Sequence, residues 1–260
     1  MIKIILCAFN EAQNLKTLLP NINREVKKIT NDYEIILCLD GGYDETPQLI
    51  AKLSYPIKIL EPQNQCGLGL AYKRIFLDII KNCTDDDLII SLDADNTHNP
   101  SQINDLVQLC QQEKLDLAIA SRFCTASVTN DFPFYRKCIS KITSLVLQTI
   151  FPIKKISGGK IQDYSSGYRA YSAKKLRELY QIHQDKFITE KDFIYTCEIL
   201  LNLAQINARI DELPLIYDYG KKIGESKLKI LQNSRGLLKL IARHFVKKFS
   251  ATNKSFTTKK

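Results

Sequence analysis

With 260 residues, 45% of them hydrophobic and 25% charged, the chain carries enough apolar material for one large α/β domain or two small ones, which excludes general disorder. No apolar run reaches the roughly 18 residues of a membrane span, and Met1 leads straight into IKIILCAF with no basic leader or cleavage site, so a cytoplasmic protein is expected. The charge is divided: residues 1–130 hold 12 bases against 17 acids, residues 131–260 hold 25 against 11, and residues 221–260 alone hold 12 bases and one acid, Glu225.

The first 120 residues alternate short β-rich runs with helical stretches. Strands are expected at 2–9, 33–40, 57–60, 87–93 and 115–121, with helices near 11–29, 45–53, 68–82 and 100–112. Continuous Ile/Leu/Val runs separated by helices argue for a parallel sheet covered on both faces. Such sheets bind ligands beyond the carboxyl ends of their strands. That rule selects Asn10-Glu11, Asp40-Gly41-Gly42, Asp93-Ala94-Asp95 and Ser121-Arg122.

After residue 122 the pattern changes. A helix is expected over 134–153, apolar on much of its surface, then a Gly158-Gly159 turn, a strand within IQDYSSGYRAYS, helices near 173–182 and 190–205, and a strand in RIDELPLIY. A basic amphipathic segment covers 226–249. There Leu228, Leu231, Leu238, Ile241, Phe245 and Phe249 share a face, with Lys227, Arg235, Lys239, Lys247 and Lys248 around it. Gly236 favours a break or kink in its middle, and residues 250–260 read as a flexible tail. The eight cysteines form no C-x-x-C pair and several sit in apolar runs, so buried thiols are expected in place of disulfides or a zinc site.

The stretch SLDADNTHNP, Ser91–Pro100, places two carboxylates two residues apart at the end of a strand. Residues so spaced point to the same side, and like charges at close range raise each other's pKa unless a cation compensates. A hard divalent ion, Mg²⁺ or Mn²⁺, bridging the pair to substrate phosphates would do so. Asn99-Pro100 independently reads as a turn that starts the next helix. The histidines at 98, 183 and 244 are scattered and read as structural or solvent-facing.

Seven stretches in this order resemble the family 2 inverting glycosyltransferases of the GT-A fold: AFNEAQNL (8–15), LDGGYDET (39–46), NQCGLGLAYKR (64–74), DADNTHNP (93–100), ASRF (120–123), DYSSGYRAYS (163–172) and ELPLIYDYGKKIGESK (212–227). Within that family the chain is most similar to dolichyl-phosphate mannosyltransferase-like enzymes. The resemblance implies a GT-A domain over 1–225, with a nucleotide-sugar-binding half up to 122 and an acceptor-binding half from 123. It places Ala8, Phe9, Glu11 and Asp40 around the nucleoside, and Asp93 and Asp95 on the metal and diphosphate. It places Arg122, Arg136 and Ser140 on an acceptor phosphate, and Lys227 over the donor diphosphate. The implied partners are a nucleotide-diphosphate sugar, a polyprenyl phosphate and an anionic membrane surface approached from the cytoplasmic side. The family's larger members carry membrane helices after this point, which leaves room for a separate membrane-anchoring subunit. The chain departs from the family pattern at Asp40-Gly41-Gly42-Tyr43, at Thr97, and at Lys221, which replaces a usual arginine and loses its two-pronged contact.

The chemistry suits these residues. A metal ion and a lysine stabilise charge growing on a leaving diphosphate. A lipid phosphate is already an anionic nucleophile, so it needs guanidinium groups to hold it more than it needs a base. The apolar 134–153 helix and the basic segment after 226 supply surfaces for approaching lipid. Three rivals are weighed beside this reading. A hydroxyl acceptor on a soluble glycan would call for a carboxylate base, with Asp192 the first candidate and Asp163 the second. A dinucleotide oxidoreductase fails on pattern, because the third glycine of the fingerprint would fall on Tyr72. The basic tail lacks the motifs of a specific nucleic-acid binder, and a salt-sensitive association is the most it predicts.

Overall fold

The computed structural model describes residues 1–42, 44–60, 65–224 and 230–257, the last stretch with its side chains from 232 to 246. Along the chain run β1 (Ile2–Ala8), α1 (Ala12–Lys27), β2 (Tyr33–Leu39), α2 (Thr46–Ile50), β3 (Ile57–Leu60), α3 (Leu68–Asn82), β4 (Leu88–Ser91), α4 (Gln102–Glu113) and β5 (Leu117–Ser121). There follow β6 (Val128–Asn130), α5 (Phe134–Ile150), β7 (Arg169–Ser172), α6 (Ala173–His183), α7 (Tyr195–Gln205), β8 (Ile210–Pro214), β9 (Ile216–Asp218) and α8 (Ile230–Thr257). The alternation over the first half is the one the sequence predicts.

Seven strands form one sheet in the order β3-β2-β1-β4-β7-β5-β8. Strand β1 is buried along its whole length, and its alternate residues divide between two cores. Ile4 and Leu6 join Leu15, Leu19 and Ile22 of α1 and Leu106 of α4, while Ile5 joins Ile75 and Phe76 of α3, Leu176 of α6 and Leu200 of α7. Each such side chain contributes about 1.5–3 kcal/mol when fully withdrawn from water. The eight thiols are free, and Cys7, Cys38, Cys110 and Cys197 are buried in these layers.

Three departures from the expected pattern shape the site. Strand β7 is antiparallel to both neighbours and begins at their carboxyl ends, with Arg169 opposite Ser91 and Ile119. A hydrophobic pattern reports burial and not strand direction, so this insertion is silent in the sequence. Its consequence is that the loop 163–168 is delivered to the sheet edge where ligands bind. The run RIDELPLIY is split: β8 pairs with β5, while β9 leaves to pair with β6 in a second, two-stranded sheet. That exit carries residues 217–222 across the end of β4, where the Asp218 amide donates to the Thr97 carbonyl at 3.0 Å. The predicted helix at 190–205 begins only at Tyr195, and residues 190–194 form the turn before it.

Helix α8 runs unbroken through Gly236. A Cβ at that position would lie 3.0 Å from a Glu190 carboxylate oxygen and 3.4 Å from Ile194, so the glycine serves close helix packing and not a kink. The docked face is also different from the expected stripe. Leu240 and His244 are buried and Leu237 and Ile241 pack beside them, whereas Leu238 is 68% and Phe245 47% exposed. Apolar residues surround much of this helix, and periodicity alone does not select among them. His244 bonds Asn202 through Nε2 at 3.1 Å, and Arg243 bonds Thr189 and Glu190 and lies 3.3 Å from Glu198. The helix continues past Ser250, where the sequence suggests a tail. Leu228 lies outside the described residues, as do the side chains of Leu231, Lys247, Lys248 and Phe249.

The glycines of Gly67-Leu68-Gly69 serve the same segment. The Gly69 amide donates to the Lys191 carbonyl at 2.7 Å, and a Cβ on Gly69 would stand 2.0 Å from the Glu190 carbonyl oxygen. Gly67, at φ 89°, would bring a Cβ within 2.8 Å of the Lys191 oxygen. Gly69→Ala is therefore expected to cost roughly 1–3 kcal/mol, read as a lower urea midpoint at unchanged slope. An unchanged midpoint would show that residues 190–191 do not pack this closely on α3.

Candidate active site

The carboxyl ends of β1, β2, β4 and β5 open into two adjoining cavities. The outer one, of about 590 Å³, is lined by Ala8, Phe9, Glu11, Asp40, Asp93, Asp95, Asp192 and Lys222 among others. The inner one, of about 130 Å³, is lined by Arg122, Ser140, Ser165 and Ser166, with apolar walls from Phe132, Ile139, Phe193 and Leu237. Asp93 and Arg136 line both. The sequence-predicted residues thus fall into two groups that meet at the acidic pair.

Around the outer cavity the side chains hold the loops in shape. Asp40 is buried and accepts from the Cys66 amide at 2.8 Å and the Gly67 amide at 3.0 Å, which pins the glycine turn to the end of β2. Gly42 has φ 105°, and a Cβ there would fall 2.4 Å from the Asn10 side-chain oxygen, so the Gly41-Gly42 departure from the family pattern is a tight turn against the end of β1. Glu11 accepts from Asn14 at 2.6 Å, and Asn14 in turn makes two bonds with the backbone of Ile223, at 2.9 and 3.0 Å. The segment after β9 is therefore clamped to the first turn of α1.

The acidic pair is compensated unevenly. Asp95 accepts from the Thr97 hydroxyl at 2.6 Å through one oxygen and from the Lys222 ammonium at 2.7 Å through the other. Burial would raise its pKa, but the charge and hydrogen bond of Lys222 outweigh this and hold it below the ordinary value. Asp93 has no such partner. Burial raises its pKa, and among the described residues the only base within ion-pair distance is His98, whose Nε2 lies 3.9 Å away. His98 is buried, which lowers its own pKa, and its Nδ1 accepts the Asp93 amide at 3.1 Å, so the ring is neutral. It stacks on Tyr168 with centroids 4.9 Å apart. The histidine is a structural group, as the sequence suggests, but one that braces the acidic pair.

This donor set fits a hard divalent cation. Asp93 is an uncompensated carboxylate facing the cleft beside a second carboxylate, both ligands that Mg²⁺ or Mn²⁺ prefers. Among the described residues no three His, Cys, Asp or Glu side chains converge. A cation at Asp93 and Asp95 would thus complete its sphere with diphosphate oxygens and water.

In the inner cavity the two arginines play different parts. Arg122 does not present its fork to the cavity. Its Nε and one terminal nitrogen grip Asp163 at 2.8 and 2.7 Å, the same nitrogen reaches Ser165 at 2.7 Å, and the other donates to Ser140 at 3.1 Å. Arg122, which the resemblance places on an acceptor phosphate, has its fork engaged by Asp163, a partner that sequence periodicity had no means of placing there. Asp163 is fully buried; burial would raise its pKa, but Arg122 and three backbone amides hold it below the ordinary value. A carboxylate so engaged is no general base. Arg136 is differently placed, between the rings of Phe132 at 5.8 Å and Tyr219 at 5.5 Å, with one bond to the Tyr219 hydroxyl at 3.2 Å. Among the described residues no carboxylate pairs with it.

Lys221 points away, with its side chain 56% exposed and its ammonium 3.6 Å from Asp218, and Lys222 takes the inward place. The two adjacent lysines point in different directions, and the helical turn Tyr219–Lys221 after β9 decides which one faces in. Lys227 lies outside the described residues. Arg169 was passed over altogether: it is wholly buried and donates to the carbonyls of Thr196 and Tyr164 at 2.7 and 2.9 Å, joining α7 to the loop beneath the inner cavity.

The geometry agrees with three kinds of comparison. The family model described as Glycosyl transferase family 2 matches residues 3–180, and the chain belongs to that family. It is 28% identical over 230 residues to the dolichol-phosphate mannosyltransferase of Pyrococcus furiosus, covering 88% of this chain and 59% of that protein. It is 26% identical over 227 residues to the undecaprenyl-phosphate mannosyltransferase of Micrococcus luteus, covering 86% of each. The chain thus spans little more than half of the first relative and most of the second. In fold it is similar to the glucosyl-3-phosphoglycerate synthase of Mycobacterium tuberculosis solved with Mn²⁺, UDP-glucose and phosphoglyceric acid, at a TM-score of 0.63 and 17% identity, covering 93% of this chain and 78% of that one. The anticipated GT-A architecture, a mostly parallel sheet between helices, is the one observed.

Replacing Arg122 by Met leaves Asp163 buried without its cation, and a cost of about 3–5 kcal/mol is expected. The sign with pH follows. In the native protein Asp163 has a depressed pKa, so its contribution is present above the unfolded value near about 4 and is lost as pH falls through the lower folded value. In Arg122→Met the backbone amides remain but the cation is gone, so the Asp163 pKa rises relative to the native protein and the deficit should be largest at neutral pH and shrink as the medium becomes acidic. Urea midpoints at pH 7 and pH 4 measure this; a deficit that stays constant would mean the pair does not titrate as described.

Proposed function

We propose that this chain transfers a sugar from a nucleotide diphosphate to a polyprenyl phosphate at a membrane surface, with Mg²⁺ or Mn²⁺ at Asp93 and Asp95. The observation that carries the reading is the inner cavity: its walls are cationic and apolar, and its sole carboxylate among the described lining residues is Asp93, already committed to the acidic pair. A hydroxyl nucleophile entering there would find no free carboxylate to act as its base, and His98, which also lines the cavity, has its Nδ1 taken up by the Asp93 amide. A phosphate needs none, because it arrives ionised.

The division of labour follows from the side chains. Ala8, Phe9, Glu11 and Asp40 border the space for the nucleoside. Thr97 and Lys222 fix the orientation of Asp95. A divalent cation bound by the acidic pair would neutralise charge gathering on the leaving diphosphate. Arg136, held between two aromatic rings with its charge uncompensated by a carboxylate, receives the acceptor phosphate. Arg122 supports that site through Ser140, whose hydroxyl accepts from the guanidinium and keeps its own proton to donate to a phosphate oxygen. Asp163 keeps Arg122 in place.

The lipid part of the acceptor suits the walls. Phe132, Ile139, Phe193 and Leu237 line the inner cavity, and α5 and α8 contribute to both the cavity and the outer surface. On that surface Phe134 is 80%, Ile142 61% and Val246 65% exposed, with Lys137, Lys141, Arg235 and Lys239 exposed among them. Among the described residues no helix is long and apolar enough to cross a membrane. Amphipathic helices of this kind lie in the headgroup layer, and each base near an anionic leaflet adds about 1 kcal/mol. The named relatives act on dolichol and undecaprenyl phosphates, which supports the same class of acceptor. A separate membrane-anchoring subunit would strengthen the attachment without altering the chemistry.

The test is incubation with Mn²⁺, UDP-, GDP- and dTDP-sugars, and in parallel arms a short polyprenyl phosphate, 3-phosphoglycerate and a soluble glycan, with products read by mass spectrometry. Glycolipid is expected in the first arm. Arg136→Ala should lower kcat/KM for the lipid phosphate by about ten- to a hundredfold, while Asp192→Asn stays active. Product only on a hydroxyl acceptor, with Asp192→Asn inactive and Arg136→Ala unharmed, would replace this reading by the glycan one.

A further inference from the structure

We infer that Lys222 is a built-in counter-cation for Asp95 which competes with the divalent metal, so that metal binds well only when a nucleotide diphosphate draws the lysine away. The inference rests on the acidic pair being the metal site of the proposed transferase. It concerns what that site does before donor arrives.

The observations are geometric. The Lys222 ammonium lies 2.7 Å from Asp95, and the two side chains are only 9% and 15% exposed. The pair is thus largely shielded from solvent and from salt. The lysine does not reach in from a loose end: Asn14 grips both backbone groups of Ile223, the next residue, at 2.9 and 3.0 Å. Asn14 is itself oriented by Glu11 at 2.6 Å. On the other side β9 is fastened to the Thr97 carbonyl through the Asp218 amide. Backbone on both sides of Lys222 is therefore fixed over the cleft, and the four-carbon stem carries the only freedom.

A metal ion ligated by Asp95 would either take the oxygen that Lys222 holds or bind the neighbouring one, and in either place it would stand beside the Lys222 ammonium. The other Asp95 oxygen is engaged by the Thr97 hydroxyl at 2.6 Å. Without donor, displacement leaves the ammonium in a half-closed cleft with a cation for a neighbour. With donor, the diphosphate brings negative charge into the same space, and the displaced ammonium has an anion to pair with. Metal and nucleotide would then bind with positive coupling, and linkage requires that coupling to be the same read from either ligand. A lysine suits this exchange better than an arginine, since its charge is a single movable point on a flexible stem.

The experiment measures Mn²⁺ binding by electron paramagnetic resonance, with and without UDP as the diphosphate probe, so that no turnover is needed. Lys222→Met should bind Mn²⁺ alone on the order of tenfold more tightly than the native protein, and the improvement caused by UDP should shrink by a similar factor. Lys222→Arg, which keeps the charge in a stiffer fork, should bind Mn²⁺ alone no more tightly than the native protein. Because the Met variant exposes Asp95 without its partner, thermal melts with and without Mn²⁺ accompany the titrations; Mn²⁺ should raise the melting temperature of Lys222→Met more than that of the native protein. Unchanged or weaker Mn²⁺ binding in Lys222→Met, with no extra thermal gain, would overturn the inference. If native protein binds no Mn²⁺ even with UDP, or if Asp95→Ala leaves Mn²⁺ binding intact, the metal-site reading itself fails, which is a separate outcome.

Discussion

The arrangement depends on one electrostatic problem: two carboxylates, Asp93 and Asp95, stand at the end of a buried strand where neither can be ionised without compensation. Most of the surrounding structure answers it. Lys222 and Thr97 settle Asp95, a neutral His98 braces the backbone of Asp93, and Arg136 borders the same space from α5. Asp93 is left with no close ion pair: His98 stands 3.9 Å away, and Lys222 and Arg136 act on it only from farther off, so on the proposed function it is the carboxylate whose charge a cation would complete.

A second constraint is how closely the backbone of residues 190–194 approaches its neighbours. Gly67 and Gly69 allow it to lie on the start of α3, and Gly236 allows α8 to lie on it from the other side. Arg243 then ties α8 to Thr189, Glu190 and Glu198. Phe193 of this segment lines both cavities. The glycines therefore decide the spacing of walls, and the chemistry of the cavities inherits that spacing. Their use is unrelated to the phosphate-cradling turn that a G-x-G pattern otherwise suggests.

How much of this could be read beforehand varies with the kind of information. The strands of the first half carry their burial in composition, so their number and order along the chain are legible, as are the residues at their carboxyl ends. The acidic pair stands out by its place at a strand end, whereas Arg136 is marked only by the resemblance to the family. Strand direction leaves no trace in hydrophobicity, which is why β7 and the loop it delivers, with Asp163 on Arg122, emerge only in three dimensions. The facing of side chains is equally silent: the helical turn after β9 sends Lys222 inward and Lys221 outward, and packing selects Leu237 and Leu240 over Leu238 as the docked face of α8. The two aromatic rings around Arg136, Phe132 and Tyr219, come from separate segments with no shared pattern.

The contrast between the two arginines bears on what kind of nucleophile the inner cavity can take. If both guanidinium groups were spent on carboxylates, the cavity would be electrically closed and an apolar hydroxyl compound would suit it. If both were open, two buried cations within one small space would repel each other strongly. One paired and one unpaired arginine is a compromise: Asp163 cancels the first and fixes it as scaffold, and the second keeps a net positive charge facing Asp93. On the proposed function, an anionic acceptor entering that space would complete the neutralisation that the protein leaves undone, and a cation at the acidic pair would screen it from the donor diphosphate. The apolar walls that α5 and α8 give the inner cavity would then suit an acceptor whose remaining part is apolar.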